Sequence, residues 1–107
     1  MERTIKIGET EVKMKASAFT PFQFKAEFNG DIISGIQRIR ELAKKGETDT
    51  EFISKVAYTM AKAANPDIEP LESWLEQFGM VDFFAAMPDI VGLWSENERT
   101  FSKPKKK

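Results

Sequence analysis

Apolar and polar residues alternate at the start of the chain. Ile5 and Ile7 alternate with Thr4 and Lys6, and Val12, Met14 and Ala16 alternate with Lys13 and Lys15. A period of two puts the apolar set on one face of a strand. Gly8-Glu9 separates the runs and suits a two-residue turn with positive φ at the glycine. The pattern predicts a β-hairpin over residues 4–16, with a basic outer face formed by Lys6, Lys13 and Lys15. A lone hairpin is marginal in water, so its apolar face must be covered by the rest of the chain.

Past residue 18 the period becomes helical. Thr20-Pro21-Phe22-Gln23 predicts a helix start, with Thr20 as cap, Pro21 in the first turn and Gln23 reaching back, while Phe19 and Phe24 fit a hydrophobic staple. This helix covers 20–28 and ends near Asn29-Gly30. Asp31 caps a second helix, with Ile32, Ile36, Ile39 and Ala43 on one stripe and Gly46 as a left-handed stop. Thr48-Asp49-Thr50-Glu51 reads as a capping box with Thr48 as the cap. It opens a third helix carrying Phe52, Ile53, Val56, Ala57, Met60 and Ala64 at helical spacing, stopped by Asn65-Pro66. Pro70 opens a fourth, with Leu71, Trp74, Leu75 and Phe78, ended by Gly79. The last helix places Met80, Phe83, Phe84, Met87, Ile90, Val91 and Trp94 on one face. Pro88 lies inside it and predicts a kink or a break. Residues 98–107 read as a flexible basic tail. The expectation is a single globular domain over 1–97, α+β and mostly helical, with the N-terminal hairpin packed with five or six short helices.

Composition narrows the chemistry. The 107 residues contain no Cys and no His. Disulfides, thiolate nucleophiles, zinc-thiolate sites and the commonest general base are therefore absent. No glycine-rich phosphate loop occurs. Glu72 and Glu76 are four apart on one helix, but no third ligand, basic partner or burying pocket accompanies them, so they do not read as a catalytic or metal pair. No catalytic residue, metal ligand or cofactor is predicted, and the chain is expected not to be an enzyme. No run approaches the ~20 apolar residues of a membrane span, and the first residues lack a signal peptide's basic and apolar regions, so a cytoplasmic protein is expected.

Net charge is −1, yet it is unevenly spread. Residues 1–45 hold nine Lys/Arg and six Asp/Glu, whereas residues 46–102 hold three and eleven. Between Asp67 and Glu98 eight carboxylates occur without one basic residue. Pairing of the hairpin's Lys6, Lys13 and Lys15 with acids such as Glu72 and Glu76 of another copy is one candidate mode of self-association; solvated helix faces are the plain alternative. The final Lys-Pro-Lys-Lys-Lys has no interleaved aromatics, so nucleic acid is not an expected partner. The chain holds nine Phe and two Trp, a large supply for so small a core. If some stay exposed, Phe83, Phe84 and Met87 are the candidates for a surface that accepts an amphipathic helix, with core packing as the alternative.

The block Val56-Ala57-Tyr58-Thr59-Met60-Ala61-Lys62-Ala63-Ala64-Asn65-Pro66-Asp67-Ile68, followed by Leu71-Glu72-Ser73-Trp74-Leu75-Glu76-Gln77-Phe78, resembles the tail assembly chaperones of long-tailed bacteriophages and prophages of Gram-positive bacteria. Thr4 to Lys15 is similar to that family's short hairpin, Thr20 to Phe28 to its Phe-rich turn and helix, and Leu93-Trp94, Thr100 and Lys105-Lys106-Lys107 to its finish. The resemblance implies a non-enzymatic role: binding the long, helical tape measure protein and keeping it soluble until the tail tube forms around it. It implies work in the host cytoplasm and absence from the finished virion, with the tail tube protein as a further candidate partner. A family member is often made in two lengths by a frameshift, which the terminal lysines would suit. A small head-to-tail connector or other minor tail protein is the alternative of the same size.

Overall fold

The structure, a computed structural model, describes residues 1–102 and the side chains of residues 1–96. The hairpin comes first, with β1 (Glu2–Ile7) and β2 (Thr10–Lys15) antiparallel and Ile5 opposite Val12. Gly8 turns the chain at φ +65°, a conformation that L side chains rarely adopt, and a Cβ there would lie 2.6 Å from Asp82 Oδ2, which would have to swing away. The ladder runs further than the alternation predicts, because Met1 and Ala16 exchange backbone bonds beyond the strands.

Five helices follow among the described residues, so the fold is α+β and mostly helical, as the periodicity predicts: α1 (Thr20–Phe28), α2 (Ile32–Lys44), α3 (Thr50–Ala64), α4 (Leu71–Leu75) and α5 (Met80–Ser102). α3 is the central element. Ile53, Val56, Ala57, Tyr58, Met60 and Ala61 are all buried on it, and it packs against β2, α1 and α5. Beside it α5 packs against β1. The two helices thus cover the apolar hairpin face of Ile5, Ile7, Met14 and Ala16. Edge-on rings extend the core outward, from Phe28 to Tyr58, Trp74 and Phe83. The Tyr58 hydroxyl donates to the Glu69 carbonyl at 2.7 Å and ties the loop before α4 to α3.

Several local expectations are corrected. Thr20 is not the cap of α1. The helix begins at Thr20, and Phe19 occupies the cap position without a side-chain cap bond. Thr20 is buried, and its hydroxyl accepts from Ser17 N–H. Pro21, next in line, has no N–H to give a cap. Phe19 does not staple to Phe24; it is exposed and stacks on Phe22 at 6.4 Å, while Phe24 is buried. Thr48 is not the cap of α3 either: Asp49 accepts from Phe52 N–H and from Arg38. Asp31 does cap α2, and Gly46 ends it at φ +75°. Ala43 faces solvent rather than the core. Pro88 does not break the last helix, which is continuous from Met80. Proline denies a partner to the Phe84 carbonyl, four residues back, and both residues are exposed, so water can take that bond. α5 also continues past residue 97 to Ser102, into what reads as tail in the sequence. Residues 103–107, with the basic finish, lie outside the described residues.

Candidate functional site

α5 is apolar nearly all round, and only one side of it is used by the core. Phe83, Ala86, Met87, Ile90, Leu93 and Trp94 are buried against α3, β1 and α4. The opposite side carries Met80, Val81, Phe84, Ala85, Pro88 and Gly92, all exposed. At 100° per residue these six lie within one sector of the helix, and between Met80 and Gly92 no charged residue interrupts it. Val81 is 78% exposed and Phe84 47%.

The three predicted apolar site residues therefore separate. Phe84 faces solvent. Phe83 at 6% and Met87 at 9% exposure are core residues, which corrects their candidacy as contact residues. The physical reason lies in the width of the stripe: Phe83 and Phe84 are adjacent in sequence, hence 100° apart, and α3 with the hairpin covers only one of the two directions. Met80 and Val81 join Phe84 at the surface instead.

The charges of α5 are ordered too. Asp82, Asp89 and Glu96 fall at seven-residue intervals, on one line beside the exposed sector and turned toward the hairpin. Asp82 lies against Gly8, and Glu96 pairs with Arg3. Asp89 and Lys6 line the same cleft, between β1 and α5. Acids of the second half thus already face bases of the first within one molecule.

The remaining candidates for self-association are not brought together. The register puts Lys15 opposite Glu2 and Lys6 opposite Glu11, with Lys13 opposite Thr4. The outer face of the hairpin is therefore mixed in charge rather than basic, because Glu2 and Glu11 lie on it beside the lysines. Glu72 is exposed on α4, and Glu76 is exposed at its C-terminal cap position.

A second apolar surface has no counterpart among the predicted sites. Phe19, Phe22 and Ala26 of the α1 segment face Thr59, Ala63 and Pro66 across a groove of about 360 Å³. At its margin Lys62 Nζ donates to Glu27 Oε1 at 2.9 Å. That bond is the main reason the Lys62 pKa is raised above its ordinary value, burial acting in the opposite sense. The signal was present in the spacing: 19, 22 and 26 repeat at three and four, a stripe distinct from the buried Phe24 and half-buried Phe28.

Among the described residues no helix is long and apolar enough to cross a membrane. No protein-family model, curated protein or solved structure matches the chain.

Proposed function

We propose that this protein is a binding module that shields an apolar helical segment of another protein, acting as a tail assembly chaperone for a tape measure protein. The observation that carries the reading is the outward sector of α5, where Met80, Val81 and Phe84 stand exposed on a helix whose other side is anchored in the core. Exposed side chains of this size on a rigid support suit the groove-or-face recognition of an amphipathic helix. Covering two or three of them contributes roughly 1–2 kcal/mol each. After the cost of association, that suits micromolar binding per copy, which tube subunits can displace. The role as such comes from the sequence resemblance, and the α5 face supplies its physical means.

Co-expression tests the reading. The tape measure protein should be soluble with the wild-type chain and insoluble with Val81→Ser/Phe84→Ser, a variant that keeps the fold because both positions are exposed. Equal solubility with and without the protein contradicts the proposal. Recovery of the chain from purified virions at fixed copy number would favour a minor tail protein.

A further inference from the structure

The cleft between β1 and α5 holds an unfinished sheet edge. Met1 N donates to Ala16 O at 3.0 Å and Ala16 N to Met1 O at 2.8 Å, so these two form a hydrogen-bonded pair. Such pairs alternate along an antiparallel ladder. Arg3, Ile5 and Ile7 therefore bond to β2, and the backbone N–H and C=O groups of Glu2, Thr4 and Lys6 point the other way. Among the described residues none gives these groups a hydrogen bond. The cleft beside them has a volume of about 480 Å³; on the α5 side it is lined by Pro88, Asp89, Gly92, Leu93 and Glu96, with Glu96 held by Arg3. A Cβ built on Gly92 would meet nothing within 4 Å.

Thr4 and Lys6 of β1 line this cleft on one side and Pro88 and Gly92 of α5 on the other, so α5 extends beyond the free edge of β1 as a ledge. The free edge of β2 differs, because the segment holding Asn65, Ile68, Gln77 and Phe78 walls the cleft beside it.

We propose that the outer edge of β1 takes one extended segment of a partner protein as a third, antiparallel strand, lying on the ledge of Pro88 and Gly92. The main-chain groups of Glu2, Thr4 and Lys6 bind it. Their side chains set its sequence: a base opposite Glu2, a small β-branched residue opposite Thr4 and an acid opposite Lys6. Charged side chains keep an edge from pairing indiscriminately while leaving it open to a strand of matching charge. A second copy of the chain does not fit, even though Glu2-x-Thr4-x-Lys6 is self-complementary, because pairing β1 with its own copy would put two α5 helices in the place of one. This inference does not require the tape measure reading, although its ledge of Pro88 and Gly92 borders the α5 face used there.

The test uses the isotopically labelled full chain and the capped peptide acetyl-Thr-Glu-Val-Thr-Val-Lys-Thr-amide. Amide exchange at Glu2, Thr4 and Lys6 should slow by about tenfold or more at saturating peptide. The effect should be lost with Thr4→Pro, which removes an outward N–H without touching the bonds to β2. It should persist with Lys13→Pro, the equivalent change on the other edge. N-methylation of the peptide's central Thr should abolish binding, a result that does not depend on how the variants fold. Absence of protection, protection confined to Glu11, Lys13 and Lys15, or binding that survives N-methylation overturns the proposal. So does a dimer in sedimentation whose Thr4 amide is protected without peptide.

Discussion

Asp49 does two things at once. It caps α3 by accepting from Phe52 N–H, and it holds Arg38 of α2. The Arg38 hydrogen bond first, and the backbone bond second, keep its carboxyl below the usual value of 3.8. A lowered folded-state pKa means the stabilisation is complete above the unfolded carboxylate's range and is lost as pH falls through the lowered value. Asp49→Ala should therefore cost about 1 kcal/mol at neutral pH, as lost caps do. Chemical denaturation at pH 7 and pH 3 should show the difference from wild type shrinking at the lower pH. Gly35 gives a second check. Alanine normally gains about 1 kcal/mol over glycine in a helix. Here its Cβ would lie 2.2 Å from the Phe52 ring. Gly35→Ala should instead lower stability by about 1–3 kcal/mol, the range for overpacking, measured by urea unfolding. Neither role was legible in the sequence. Thr48-Asp49-Thr50 offers three good caps in a row, and the Arg38 bond that accompanies the Asp49 cap comes from a separate helix. The closeness of Gly35 to Phe52 likewise joins residues on separate helices.

The elements themselves were legible, because period two and period 3.6 are local properties of the chain. The hairpin and all five helices appear where the pattern puts them, to within a few residues. What local pattern does not give is the direction from which neighbours come. In α5 the apolar residues wrap most of the helix, so periodicity alone assigned Phe83, Phe84 and Met87 to one surface. Packing divides them, and the division is testable. Phe83→Ala should lose about 3 kcal/mol or more, as buried aromatics do. Phe84→Ala should stay within about 0.5 kcal/mol of wild type, as surface substitutions do. Thermal unfolding of the two variants measures both. A large loss at Phe84 would mean that the α5 face is core.

For the molecule as a whole, a central α3 and a flanking α5 carry a two-stranded sheet, with an open cleft between β1 and α5. Apolar surface remains outside the core on α5 and along the α1 groove of Phe19 and Phe22. The charge segregation along the sequence is used in part within the molecule, where Arg3 and Glu96 meet across the fold. The central claim is that the outward face of α5 contacts the partner. Site-specific photocrosslinking addresses it most directly. A photoreactive phenylalanine analogue replaces Val81, Phe84 or, as a control on α2, Lys44, with each variant co-expressed with the tape measure protein. The account predicts a crosslinked product from positions 81 and 84 and none from 44. Crosslinking from position 44 alone, or from none of the three while the complex still forms, would contradict it.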